Sequence, residues 1–71
     1  MSVARITEIS SSSPHSFDDA IKQGIDRANK TIRHIRSAWV KEQQVNLNDG
    51  KVTDYQVNLL ITFVLDDEAG A

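Results

Sequence analysis

The chain has no cysteine among its 71 residues. That excludes a disulfide framework and any thiolate metal site, and it removes cysteine usage as a guide to redox compartment. No apolar run approaches the roughly 20 residues of a membrane-spanning helix, and the N-terminus lacks the apolar core of a signal peptide. The net charge of -2 lacks the basic excess that marks a nucleic-acid binder. The expectation is one soluble, cytoplasmic domain over 1–71 that binds neither nucleic acid nor membrane. A chain this short buries only roughly 60% of its unfolded surface and usually needs a staple. With cysteine absent, oligomerisation is the staple that remains.

What is present reads as three strands and one helix. Val3 to Ser10 is rich in β-branched residues with partial alternation, which predicts a strand. The serine run Ser10 to Ser13 and Pro14 predict a loop into a helix. Two starts compete: Ser13 as N-cap before Pro14, or Ser16 with Asp19 three residues on as a capping box. Phe17, Ala20, Ile21, Ile25, Ala28, Ile32 and Ile35 recur at three- and four-residue spacing and predict one amphipathic helix from Phe17 to Ile35. Asp18 and Asp19 at its front and Arg33, His34 and Arg36 at its back suit the helix dipole.

Ser37 to Leu47 predicts a second strand, and Asn48-Asp49-Gly50 a tight hairpin turn. With Asp49 and Gly50 as a two-residue loop, Asn48 pairs with Lys51, Gln43 with Gln56 and Trp39 with Leu60. Ser37, Trp39, Lys41, Gln43 and Val45 then share a face with Gln56, Asn58, Leu60, Thr62 and Val64. Ala38 and Val40 face the helix with Val57, Leu59 and Ile61. The last strand, Tyr55 to Leu65, is apolar at its odd positions and half apolar at its even ones. One helix can cover only the odd face, so a second subunit is expected over the even face, where the single tryptophan, Trp39, lies. The tail from Asp66 to Ala71 reads as polar and frayed.

In order of elements and in particular words the chain resembles the dodecin family. The words are Ser16-Phe17-Asp18-Asp19-Ala20-Ile21, Arg27-Ala28 followed by Lys30-Thr31, Asp49-Gly50-Lys51-Val52 and Tyr55-Gln56-Val57. The resemblance spans nearly the whole chain. It implies an α+β fold of order β-α-β-β, a three-stranded antiparallel sheet wrapped on one helix. It also implies assembly as a hollow homo-dodecamer of four trimers. Flavin-binding members stack paired isoalloxazine rings between tryptophans of symmetry-related subunits, with a glutamine on the ring edge. Gln56 matches that glutamine, and Ser37 holds the usual place of the tryptophan. Here the tryptophan comes two residues later, as Trp39, displaced by roughly 6 to 7 Å along the same face. Trp39 is therefore either a shifted stacking platform or an interface anchor. The bland reading of Gln56 is a cross-strand pair with Gln43.

Members that bind flavin mononucleotide often carry arginines where this chain has Gln44 and Val64, and neither can fork a phosphate. Of riboflavin and flavin mononucleotide, riboflavin or a degradation product is the expected ligand. His15 and His34 are too far apart for a local metal site. Asp66, Asp67 and Glu68 lack the spacing of a calcium loop, and Arg27, Lys30, Arg33 and Arg36 read as a solvated flank. No nucleophile with a base and no paired carboxylates point to an enzyme. The expected function is non-catalytic flavin binding and storage, lined by Trp39, Gln56 and Ser37. The alternatives are a flavin-free or ion-binding dodecameric shell, and a small adaptor that binds a partner through the even face.

Overall fold

The computed structural model describes residues 3–65. Four elements follow one another: β1 (Ala4–Ser13), α1 (Phe17–Ala28), β2 (Ile35–Asn48) and β3 (Lys51–Val64). The strands form one antiparallel sheet in the order β1-β3-β2. The most apolar strand thus occupies the centre, and α1 lies across β1 and β3 with only slight contact to β2. The β-α-β-β fold expected from the sequence is the one observed.

The core is the odd face of β3. Val57, Leu59 and Ile61 are fully buried together with Ala20 of α1. Ile9, Phe17, Ile21, Ile25, Ala38, Val40 and Phe63 pack around them. Each of the three large core side chains contributes about 1.5–3 kcal/mol on burial. At one end of this layer Phe17 and Tyr55 meet edge to face, ring centroids 5.2 Å apart.

Three expectations are corrected by the structure. First, the serine run is strand, and β1 continues to Ser13. Its serines alternate like any strand residues. Ser11 Oγ donates to the Ala20 carbonyl at 2.8 Å, and Ser13 Oγ donates to Asp19 Oδ2 at 2.5 Å, so the hydroxyls facing the helix are satisfied by it. Ser16 is the N-cap, its Oγ accepting from the Asp19 backbone N–H at 3.0 Å, and the Ser13–Pro14 start is not used.

Second, α1 stops at Ala28, not Ile35. The Lys30 and Thr31 N–H groups bond the carbonyls three residues back, which tightens the last turn. His34 then reverses the chain at φ 62°. Ile35 belongs to β2, opposite Phe63, so the sheet and not the helix buries the end of the apolar stripe. Arg33, His34 and Arg36 consequently lie outside the helix.

Third, the hairpin register slips three times, twice between the turn and Trp39 and once more at Arg36. The two-residue turn is as expected, with Asp49 and Gly50 at φ 53° and 76° and Asn48 opposite Lys51. An extra residue in β3 at Thr53 then shifts the pairing, so Gln44, not Gln43, opposes Gln56. An extra residue in β2 at Lys41 shifts it back, and Trp39 opposes Leu60 as expected. Because a one-residue slip flips every side chain, Gln43 and Val45 face the helix side, opposite Val57 and Tyr55. Glu42, Gln44 and Asn46 take the places expected for Lys41, Gln43 and Val45 on the other face.

Candidate functional site

The face of the sheet away from α1 has no covering element within the described residues. Its central row of side chains is supplied by β3, from Asp54 through Gln56, Asn58, Leu60 and Thr62 to Val64. On one flank stand Ile6, Glu8, Ser10 and Ser12 of β1. On the other stand Ser37, Trp39, Glu42, Gln44 and Asn46 of β2.

The face divides into two halves. At one end Trp39, Leu60, Ile6, Thr62 and Ser37 make an apolar field edged by hydroxyls. Trp39 is 70% exposed and Ile6 61% exposed, an arrangement that leaves the largest aromatic surface of the chain in water within one subunit. At the other end lies a polar ladder. Lys41, the extra residue of the bulge, reaches Glu8 at 3.2 Å. Asn58 Nδ2 donates to Glu8 Oε2 and Glu42 Oε1, each at 3.5 Å. Gln56 Nε2 donates to Ser10 Oγ at 3.2 Å, and Gln56 Oε1 accepts from Asn46 Nδ2 at 3.3 Å. Asn46 also donates to Asp54 at 3.0 Å.

Of the residues picked out from the sequence, Trp39 and Ser37 stand in adjacent rows, opposite Leu60 and Thr62. Gln56 shares their face but lies two rows from Trp39, about 13 Å along the strand. One subunit therefore does not bring Trp39 and Gln56 together on one small ring. A ligand touching both must draw them from two copies. The partner of Gln56 is not Gln43 but Ser10 and Asn46.

Glu8, Lys41, Glu42 and Asn58 were not singled out by sequence reasoning. Asn58 was legible as a neighbour of Leu60 on the same face. Glu8 was not, since nothing in the sequence fixes the register of β1 against β3. Among the described residues no group of three or more His, Asp or Glu side chains is placed to hold a metal ion, and the acidic tail lies outside them. His15 is exposed, and its backbone N–H donates to Ser13 Oγ at 2.9 Å. Asp19 is held below the usual carboxylate range, chiefly by the hydrogen bond from Ser13 and then by that from Gln23. This belongs to the helix start, on the other side of the sheet from Trp39.

A three-stranded antiparallel sheet with one face on a helix and an exposed tryptophan on the other defines a small α+β domain. The Dodecin family model matches residues 3–66, and the chain belongs to the dodecin family. It is similar to calcium dodecin of Mycobacterium tuberculosis, 34% identical over 64 residues and 89% of each chain. It is also similar to dodecin of Thermus thermophilus, 32% identical over 65 residues, 92% of this chain and 94% of the relative. Among solved structures, dodecin from Streptomyces davaonensis matches with a TM-score of 0.86 at 37% identity, covering 92% of this chain and 96% of its own. No helix among the described residues is long and apolar enough to cross a membrane.

Proposed function

We propose that the chain is a non-catalytic dodecin that assembles into a hollow homo-dodecamer of four trimers and sequesters a flavin, riboflavin in preference to flavin mononucleotide. The observation that carries this reading is Trp39, 70% exposed beside Leu60 on the uncovered face. An aromatic ring so displayed gains from stacking another ring, with centroids about 4.5–7 Å apart. Ser37 rims the field with a hydroxyl, and in this reading Gln56 meets a ring held by another copy. Lys41 already pairs with Glu8, and β2 and β3 hold Gln44 and Val64 where an arginine fork would grip a phosphate. Stacking would quench the excited flavin, and enclosure would limit its photochemistry, which suits storage better than catalysis.

A second reading has its own support. Glu8 and Glu42 converge on Asn58 from the two outer strands, and one relative is named calcium dodecin. Two carboxylates with one amide are too few for the six to eight oxygen ligands of calcium, so this reading needs oxygens from other copies. The test is a pair of titrations on purified protein whose oligomer mass has been measured. Saturable quenching of riboflavin fluorescence, unaffected by a calcium chelator, supports flavin sequestration. Calorimetric calcium binding without any riboflavin quenching supports the ion-binding shell. A monomer or dimer by sedimentation overturns both.

A further inference from the structure

Resting on the proposed dodecamer of trimers, we infer that the β2–β3 hairpin of one copy plugs into the flank of α1 in the next, and that this contact closes the threefold. The subunit is 54 Å long, whereas α1 with its 12 residues spans only about 18 Å. The helix starts over Tyr55, where Phe17 meets that ring, and runs away from the turn toward Leu59, over which Gly24 packs. Between Tyr55 and Gly50 the hairpin therefore projects beyond the helix by about 16 Å. Its helix-side surface carries Val45 opposite Tyr55, then Leu47 opposite Val52. Val45, Leu47 and Val52 are 41%, 60% and 48% exposed, and no element among the described residues lies over them.

The matching socket is on α1. Ile21 and Ile25 are only partly buried against the core, and with Asp18, Lys22 and Asp26 they line a shallow depression on the helix flank. Asp18 and Asp26 outweigh Lys22 on its rim, and Lys51, next to Val52, brings a cation on the hairpin. None of Asp18, Asp26 and Lys51 makes an ion pair among the described residues. Plug and socket cannot meet within one subunit, because Ile25 stands beside Gly24 at the level of Leu59, about 23 Å along β3 from Val52. A contact between two different patches of identical copies is heterologous, and it generates a ring when its rotation closes. A trimer needs a contact of that kind. Trp39 lies on the opposite face of the sheet, so the hairpin contact leaves it free for a second kind of contact, between trimers.

The chain has no cysteine, so the double variant Ile25→Cys/Leu47→Cys supplies the only thiols that can form a disulfide. After oxidation, denaturing electrophoresis without reductant is expected to show covalent species up to the trimer and none larger, while each single variant stays monomeric. Leu47→Asp is expected to reduce the assembly from dodecamer to dimers or monomers by sedimentation, with its far-UV circular dichroism unchanged. An assembled double variant that gives no covalent trimer overturns the inference, as does a covalent ladder that runs past the trimer. Covalent dimers from either single variant overturn it too, since that residue then meets its own copy across a twofold. If the double variant does not assemble, Leu47→Asp decides alone: a persisting dodecamer, or loss of the subunit fold, overturns the inference. Wild-type protein that sediments as monomer or dimer removes the dodecamer itself, and the inference with it.

Discussion

Gly24→Ala places two opposed effects of known size against each other. Gly24 lies in the interior of α1 and is buried, and replacing a helix-interior glycine by alanine ordinarily stabilises by about 1 kcal/mol. Here the added Cβ would stand 3.0 Å from Ser11 Cβ and 3.1 Å from Leu59 Cδ1. Neither neighbour can yield easily. The Ser11 Cβ is fixed by the backbone of β1, paired with Val57, and Leu59 is fully buried. Relief requires α1 to lift from the sheet, at the cost of overpacking, about 1–3 kcal/mol. The same lift strains the bond from Ser11 Oγ to Ala20, worth about 0.5–1.5 kcal/mol. The net expectation is destabilisation by about 1–2 kcal/mol. Urea midpoints of wild type and variant, measured at one subunit concentration because assembly contributes by mass action, provide the assay. A variant as stable as wild type, or more so, would refute the claim that α1 is seated at the limit of contact on β1 and β3.

Other expectations are smaller in scope. Leu59→Ala, at the centre of the core, should cost about 2–5 kcal/mol, readable as a lower urea midpoint; a loss under 1 kcal/mol would contradict full burial. Ser13→Ala should raise the Asp19 pKa toward the ordinary carboxylate range, as followed by NMR titration of the side chain. Because the folded-state value is depressed, this pair's contribution to stability is present above the unfolded carboxylate pKa and lost as pH falls through the folded value. The variant should therefore be less stable than wild type at neutral pH, and the difference should close as pH falls, which leaves the variant with the flatter acid limb. Gly50→Ala, at φ 76°, should destabilise the hairpin by about 1–2 kcal/mol, whereas Asn48→Ala outside the turn should not match it.

The fold was legible because its strongest signals are redundant. Periodicity from Phe17 to Ala28, the Asn48-Asp49-Gly50 turn and the alternation of β3 all specify the same arrangement. Errors arose where one pattern served two elements. Ile32 and Ile35 extend the helical spacing, yet Ile35 is buried from the sheet, and a stripe does not record which element covers it. Four consecutive serines carry no alternation to read, although their hydroxyls alternate between helix and open face. The bulges at Thr53 and Lys41 leave no local signature either. Trp39 was still placed on the correct face, since the two slips cancel before reaching it, whereas Gln43 and Val45, between them, were not. Of the site, the shared face of Trp39, Ser37 and Gln56 could be read from the strand period. The separation of Gln56 from Trp39 could be read too, but the cluster of Glu8, Lys41, Glu42 and Asn58 depends on the pairing of β1 with β3, which joins residues 50 apart in sequence.

The most direct test of the central claim, that Trp39 is a ligand platform and not a structural element of the subunit, is riboflavin quenching by Trp39→Ala beside wild type at matched oligomer mass. With its side chain largely in water within the subunit, the substitution should change subunit stability by no more than about 0.5 kcal/mol. The dodecamer should persist, and riboflavin affinity should fall at least tenfold. Undiminished quenching by an assembled Trp39→Ala protein, or dodecamers that fall apart on the substitution, would contradict it.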